Sequence, residues 1–227
     1  MRLEELNWFD VENYLKNEDR LILVLGASEQ HGYLSLLTDV MIPMALADAA
    51  SQKTGIIVAP PLNFGCSPYF MSYPGTFSLR SNTFLDVVED LVRSAYRQGF
   101  RRILVLNGHG GNDSCRSRLY EVVNELHDLH LAWYAWWVAH SVEEIARQYN
   151  LKPSHANWLE AFPFTRVSDL PIEDKAPPRV PGLMSADQAR QVYGDGSFGG
   201  PYQASDMIMQ KIFQAALDDV LQLLKFE

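Results

Sequence analysis

The stretch that decides the fold is ILVLNGHGGN, residues 103–112. It opens on four branched apolar residues, a pattern typical of a strand that is buried on both faces of a sheet. The runs LILVL (21–25) and IIVA (56–59) have the same character, and a fourth strand is predicted at 131–138. Strands of this kind belong to parallel sheets whose two faces are covered by helices.

Segments with helical periodicity alternate with these strands, at 41–54, 83–98 and 112–129, and a last helix is predicted at 205–225. Ser81 or Asn82 is predicted to cap the second of them. The alternation predicts an α/β fold with a mostly parallel central sheet and helices on its faces. A Pro- and Gly-rich stretch at 171–201 is too long for an ordinary connection, and we expect it to shape the site or a subunit contact.

The bulk composition favours one domain that acts on a small molecule. With 227 residues, 47% of them apolar, the chain can bury one sizeable core, and we expect a single domain over residues 1–227. The net charge of −9 opposes binding to nucleic acid or to anionic membranes. The N-terminus has no signal-like pattern and the most apolar segment, 131–139, is too short to span a bilayer, so we expect a cytoplasmic protein. Cys66 and Cys115 match no disulfide or zinc motif.

Ionisable side chains are concentrated in the segments that follow the predicted strands. Glu29 and His31 come after the first strand, and His109 comes after the third, among glycines that permit a close approach. Ligands of parallel α/β sheets bind beyond the carboxyl ends of the strands, so these side chains are expected to meet there. Asp39 follows at a predicted helix N-terminus, where the helix dipole alone would also stabilise a carboxylate.

A metal site explains this set of residues best. Carboxylate oxygens mixed with imidazole nitrogens suit Zn²⁺, Mn²⁺ or Fe²⁺ better than Ca²⁺ or Mg²⁺. Farther along, His155 and Glu160 form a pair that could move protons for a metal-activated water: one takes a proton from the water and the other delivers one to the leaving nitrogen. Other histidines have no carboxylate pattern around them and are expected to be structural or exposed: His127, His130 and His140.

Each motif also has a simpler explanation. EQHG at 29–32 could be a capped turn, and the glycine loop at 108–111 could be the phosphate cradle of a nucleotide-binding module that does no hydrolysis. However, the loop matches neither GxGxxG nor GxxxxGK[ST], and a histidine has no part in holding phosphate. The convergence of Glu29, His31 and His109 at two strand ends favours the metal site.

The sequence resembles the creatininase family, the creatinine amidohydrolases and their relatives. The similarity is carried by LGASEQHGYLSLLTD (25–39), APPLNFGCSPYFMSYPGTFSL (59–79), ILVLNGHGGN (103–112) and HANWLE (155–160), and more weakly by GSFGGPYQAS (196–205). The resemblance implies a three-layer α/β fold, two divalent ions per chain and a homo-hexamer. It also implies that Glu29, His31, Asp39 and His109 are metal ligands, with Asp39 bridging the ions. By the same resemblance His155 is the catalytic histidine, and Glu160 is a ligand or an acid/base group.

The sequence departs from the creatininases proper at two places. Gly111 stands where they carry a carboxylate ligand, and Asn157, Ala161 and Phe162 alter their HAGxxETS segment. We therefore expect a metal-dependent amidohydrolase that acts on a C–N bond of a small cyclic amide or formamide, with a keto-sugar ring as the alternative substrate. Trp158 is expected to form a flat wall for the substrate; other tryptophans that could do so are Trp133, Trp136 and Trp137.

Overall fold

The computed structural model describes residues 1–180 and 182–227, and Pro181, which falls within the predicted Pro- and Gly-rich stretch, lies outside the described residues. A four-stranded sheet forms the centre, with the strand order β2-β1-β3-β4. The strands are β1 (Arg20–Leu25), β2 (Ile57–Val58), β3 (Arg102–Asn107) and β4 (His130–Ala135). All neighbouring strands run parallel, as predicted.

Helices occupy the connections between the strands and the C-terminal part of the chain. They are α1 (Trp8–Tyr14), α2 (Thr38–Thr54), α3 (Ser81–Gln98), α4 (Cys115–Glu125), α5 (His140–Gln148), α6 (Ala186–Tyr193) and α7 (Asp206–Leu223). Among the described residues, none of these helices combines the length and the apolar character that crossing a bilayer requires.

The predicted elements are confirmed except at some boundaries. The predicted cap of α3 is wrong, because Arg80 holds the cap position and makes no side-chain capping bond. Residues 110–114 form a 3₁₀ turn that lets His109 and its neighbours turn toward β1 before α4 begins. The fourth strand ends at Ala135 and continues as the 3₁₀ turn Trp136–Val138. The short helices α1, α5 and α6 were not predicted.

The sheet lies between two apolar layers, so the fold has the three layers that the resemblance implies. Side chains alternate along the strands: Ile22 and Leu104 pack with α2 and α7, while Leu21 and Ile103 pack with α3 and α4. Complete burial of such a side chain contributes roughly 1.5–3 kcal/mol. The sheet is therefore a stable platform for the loops at its edge.

The carboxyl ends of β1 and β3 are adjacent, which places the loops that follow them side by side. Leu25 pairs with Asn107, and the N–H of Gly108 donates to the carbonyl of Leu25 at 2.8 Å. Gly108 then passes so close to the first turn of α2 that a Cβ would lie 2.0 Å from the carbonyl oxygen of Asp39. This contact brings the His109 loop against the helix that carries Asp39.

Candidate metal centre

The structure brings together the four residues that the sequence predicts as ligands. Glu29 and His31 lie in the loop after β1, Asp39 in the first turn of α2, and His109 after β3. All four are at least 93% buried. Buried carboxylates and imidazoles are normally paired or bound to metal, because an isolated buried charge is very costly. The predicted cluster therefore exists as a single polar site under the cavity described below.

The cluster contains two groups of donor atoms that share Asp39. The first group is Glu29, Asp39 and His109, and the second group is His31, Asp39 and Glu160; in each, one donor atom per residue lies within 4.8 Å of the others. Oδ2 of Asp39 is 2.8 Å from Nδ1 of His109, and Oδ1 is 3.0 Å from Nε2 of His31. One oxygen of Asp39 thus faces each group, which is the arrangement of a bridging carboxylate. A third, overlapping group contains Glu29, His31 and His155.

The hydrogen bonds leave one nitrogen of each histidine free for a metal ion. Nδ1 of His31 lies 3.0 Å from the carbonyl of Glu29, and Nε2 of His109 lies 2.9 Å from the carbonyl of Cys66. A backbone carbonyl can only accept, so these nitrogens carry the protons and the opposite ones carry lone pairs. Nε2 of His31 and Nδ1 of His109 each face an oxygen of Asp39, at 3.0 and 2.8 Å, so an imidazole nitrogen and a carboxylate oxygen are together available to an ion in each group. The donor set therefore fits a divalent ion such as Zn²⁺, Mn²⁺ or Fe²⁺.

Without metal, protons on the two histidines balance the carboxylates. Burial lowers the pKa of His31, but Asp39 and Glu160 outweigh it and raise that pKa to about 10. Burial likewise lowers the pKa of His109, and Glu29 and Asp39 raise it to about 9. Burial alone would raise the pKa of Asp39, yet the neighbouring histidines bring it below its ordinary value. At neutral pH the metal-free site thus holds two imidazolium ions.

We predict that metal binding releases protons from these two histidines. An ion and a proton compete for the same nitrogen, so affinity should rise as pH increases toward 9–10 and weaken as pH falls. Because both pKa values exceed the unfolded value, the stability that the protonated histidines give to metal-free protein is complete below about pH 6.5 and is lost through pH 9–10. Calorimetric titration of Zn²⁺ in buffers of different ionisation enthalpy measures the protons released. Proton-independent binding would contradict the assignment of both ligands.

His155 and Glu160 border the same cluster. Nδ1 of His155 is 3.8 Å from Oε1 of Glu29, and Oε1 of Glu160 is 3.8 Å from Nε2 of His31. The other oxygen of Glu160 accepts the N–H of Ala156 at 2.6 Å. Ala156 has φ 52°, a left-handed conformation that is unfavourable for alanine and is found mainly where function requires it. The turn after His155 therefore holds one oxygen of Glu160 against the backbone of Ala156 and leaves the other facing His31.

Burial shifts the pKa values of Glu160 and His155 in opposite directions. Burial raises the pKa of Glu160 to about 7, against the opposing effect of His31. Burial lowers the pKa of His155 well below its ordinary value, and the nearby His31 lowers it further. Glu160 can therefore exchange a proton near neutral pH, whereas His155 is a neutral imidazole.

Asn112 supports the site, although it was not predicted as a functional residue. Its side chain donates to the carbonyl of Gly26 at 3.1 Å and accepts the N–H of Cys66 at 3.2 Å. It also donates to Asn107 at 3.3 Å, so one buried amide joins the segments after β1, β2 and β3. Its place at the end of the NGHGGN motif was the available signal. Lys175 is a second unpredicted support: its ammonium group bonds to Asp195 and to the carbonyl of Ser197, which fixes the loop around Gly196 and Phe198.

A cavity of about 760 Å³ opens onto the cluster. Its floor contains Glu29, Asp39, His109 and Glu160. Aromatic and aliphatic residues form part of its walls: Tyr69, Phe70, Trp137, Val138, Ala146, Leu151, Pro153 and Phe198. Polar residues, among them Glu143, Arg147, Asn150, Lys152 and Ser154, complete the lining.

The placement of Trp158 does not fit its predicted role as a wall for the substrate. Its side chain is fully buried in the core between the sheet and α7, and its indole N–H donates to the carbonyl of Lys152 at 3.0 Å. The 3₁₀ turn Trp158–Glu160 directs its first and last residues in different directions, so Glu160 reaches the site and Trp158 reaches the core. Trp137, a weaker candidate from the sequence, lines the cavity instead.

Comparison with known proteins identifies the family. The family model described as "Creatininase: Creatinine amidohydrolase" matches residues 4–224. Creatinine amidohydrolase of Pseudomonas putida is 35% identical over 115 residues, which are 48% of this chain and 44% of that protein. A 3-dehydro-scyllo-inosose hydrolase of Thermotoga maritima is 31% identical over 102 residues, 44% of this chain and 33% of that protein. A mycofactocin precursor peptide peptidase of Mycolicibacterium smegmatis is 34% identical over 99 residues, 40% of each chain.

These matched segments span less than half the length of each relative. The fold is similar over a much greater length. A solved structure described as "Creatininase Mn" superposes with a TM-score of 0.80 at 22% identity, covering 99% of this chain and 97% of that one. Since the family model covers nearly the whole sequence and the fold agrees throughout, the chain belongs to the creatininase family.

Proposed function

We propose that the protein is a metal-dependent hydrolase that cleaves a C–N bond in a small amide. The observation that carries the proposal is the pair of buried donor groups that share Asp39 at the floor of an open cavity. Glu29 and His109 complete the first group, and His31 and Glu160 complete the second. Bound there, divalent ions would polarise a carbonyl group and lower the pKa of water.

The residues of the chain divide the remaining work. Glu160 either binds the second ion or, where it stays free of the ion, uses its pKa of about 7 to take a proton from the attacking water and pass it toward the leaving nitrogen. The aromatic and aliphatic residues of the lining lower the polarity beside the cluster, which strengthens electrostatic interactions there. His155 remains neutral, so its ring has one N–H donor and one nitrogen with a lone pair. Which of the two nitrogens faces the substrate determines whether His155 donates or accepts a hydrogen bond there.

The walls of the cavity favour a flat, largely apolar amide over a keto-sugar. A sugar ring carries several hydroxyl groups, each of which needs a hydrogen-bond partner when it is buried. Beside His155 and Gly110 the walls are formed by Phe70, Phe198 and Trp137, and the polar side chains of the lining come mainly from the segment 143–154. The similarity to the inosose hydrolase keeps a keto-sugar as the second candidate.

The phosphate-cradle hypothesis for residues 108–111 has less support. The side chain of His109 turns toward Asp39, and a carboxylate at that place would repel a phosphate. A Cβ on Gly111 would lie 1.9 Å from the carbonyl oxygen of Cys66, so this part of the loop is already packed against protein.

The proposal is tested by metal analysis followed by a substrate screen. Protein loaded separately with Zn²⁺, Mn²⁺ and Fe²⁺ should retain about two ions per chain and should hydrolyse at least one member of a panel of cyclic amides, formamides and short peptides. Protein that binds no divalent ion, or that holds the ions but turns over only keto-sugars, would overturn the amidohydrolase assignment.

We predict that creatinine is a poor substrate. Gly111 replaces a carboxylate ligand of the creatininases proper, so the charge around the ions differs. At position 157 those enzymes have glycine, whereas here a buried asparagine donates to the carbonyl of Gly199. If this bulkier residue shifts the loops around the substrate, a displacement of about 1 Å can cost roughly a hundredfold in rate. Steady-state assays should give kcat/KM below roughly 10⁴ M⁻¹s⁻¹. A higher value would show that these replacements do not control specificity.

We further predict a homo-hexamer, on the basis of the family resemblance. Light scattering coupled to size-exclusion chromatography measures the mass in solution. A mass equal to the 25.8 kDa of one chain would refute this prediction.

A further inference from the structure

The side chain of Gln30 reaches His155, although its neighbours Glu29 and His31 belong to the donor groups. Gln30 is 4% exposed, and its amide nitrogen is 2.9 Å from Nε2 of His155. Gly196 makes room for this amide, because a Cβ at that position would lie 1.7 Å from Oε1 of Gln30. The glutamine therefore occupies a closely fitted place beside the histidine.

Two backbone groups determine which end of the Gln30 amide is oxygen and which is nitrogen. The N–H of Gly32 donates to one end at 3.1 Å, so that end is the oxygen. The carbonyl of Gly196 accepts from the other end at 3.1 Å, so that end is the NH₂ group. One N–H of this group is used by Gly196, and the second N–H faces His155.

An N–H that faces Nε2 of His155 selects the tautomer of the ring. Nε2 must accept this hydrogen bond, because two N–H groups at 2.9 Å would repel each other. The carbonyl of Gln30 lies farther away, at 3.2 Å, and would suit only the opposite tautomer. The proton of the neutral ring is then on Nδ1, which faces Glu29.

The aromatic neighbours hold the ring in this orientation. The ring of Phe70 stacks on His155 with centroids 4.8 Å apart and planes 16° apart. Phe198 lies 4.9 Å away, and its loop is tied by Lys175. Because Phe198 and Gly196 belong to the same loop, one segment supports both the ring and the glutamine.

We propose that Gln30 is a positioning residue that keeps His155 in the Nδ1–H form, so that His155 donates a hydrogen bond to the reacting oxygen of the substrate. While neutral in this form, Nδ1 has no lone pair and cannot take a proton from water. A fixed donor stabilises the negative charge that develops on the oxygen during hydrolysis, and a neutral imidazole can serve in this way. This role rests on the proposed hydrolase function, but the tautomer itself does not.

Solid-state ¹⁵N NMR of zinc-loaded protein labelled with [¹⁵N]histidine measures the tautomer directly, and a His155→Gln sample assigns the resonances. We expect protonated Nδ1 and unprotonated Nε2 in the wild type. Gln30→Met removes the donor but leaves the backbone carbonyl at 3.2 Å as the remaining partner, so Nε2 should become protonated. Gln52→Met, an exposed change on α2, is the matched control and should keep the wild-type spectrum.

Two results would overturn the proposal: a protonated Nε2 in the wild type, or an unchanged tautomer in folded Gln30→Met protein. If Gln30→Met fails to fold, the wild-type spectrum still decides. On any amide that the screen identifies, Gln30→Met should lower kcat by roughly 10²-fold or more while KM changes little. A wild type that hydrolyses nothing but has the expected tautomer would reject the proposed function and leave the role of Gln30 standing.

Discussion

Asp39→Ala is expected to release both divalent ions and to lower kcat by roughly 10³-fold or more. Asp39 is the one residue common to both donor groups, with one oxygen directed at each. Its removal leaves each group with two ligands, and it leaves two close positive charges without the carboxylate between them. The several kcal/mol of catalysis that the ions supply would be lost with them. Elemental analysis of dialysed protein measures the effect.

Asp86→Ala is the matched control for this experiment. Asp86 lies on α3 with a side chain that is 67% exposed, so its loss changes the net charge equally without touching the site. Added Zn²⁺ should raise the melting temperature of the wild type and of the control, because a ligand that binds only folded protein stabilises it. It should leave the melting temperature of Asp39→Ala nearly unchanged. If Asp39→Ala retains two ions per chain, Asp39 is not a ligand, and its carboxylate only stabilises the N-terminus of α2.

The sheet and the donor cluster could be predicted because both follow from local patterns. A strand covered on both faces is apolar along its length, and the shortness and branched residues of runs such as 21–25 and 103–106 favour a strand over a buried helix. Once the strands are parallel and adjacent, Glu29 and His109 are brought to the same edge by the register of β1 and β3. The prediction needed only residue types and the direction of the strands.

The supporting residues could not be predicted in this way, since their roles depend on contacts between distant segments. Gln30 matters because of Gly196, which lies 166 positions away, and Asn112 matters because of Gly26. Residue type was misleading for Trp158: the flat apolar ring of tryptophan suggested a substrate wall, but the turn directs it into the core. Contacts between distant segments determine the roles of these residues, and the local periodicity of the sequence carries no information about such contacts.

Gly111→Ala is expected to unfold the protein more easily and to remove the ion of the first group. The added Cβ would lie 1.9 Å from the carbonyl oxygen of Cys66 and 2.6 Å from Nε2 of His109. That carbonyl accepts the hydrogen bond that orients His109, so the methyl group separates the two partners of this bond. Overpacking against backbone should cost about 3 kcal/mol, which corresponds to a fall in melting temperature of roughly 6–12 °C for a chain of this size.

Gly110→Ala separates this steric effect from the other consequences of replacing a glycine. Both substitutions reduce the freedom of the unfolded chain by the same amount, roughly 0.4–1 kcal/mol in favour of folding. At position 110 the nearest atom to the added Cβ is on Trp137 at 3.9 Å, an ordinary contact, so this variant should keep its stability and both ions. Equal melting temperatures and metal contents for the two variants would show that the loop relaxes around residue 111. A carboxylate of the kind that creatininases carry there could then be accommodated. A clear difference would mean that the packing around Gly111 excludes that ligand from this chain, so that the carboxylates available to the site are Glu29, Asp39 and Glu160.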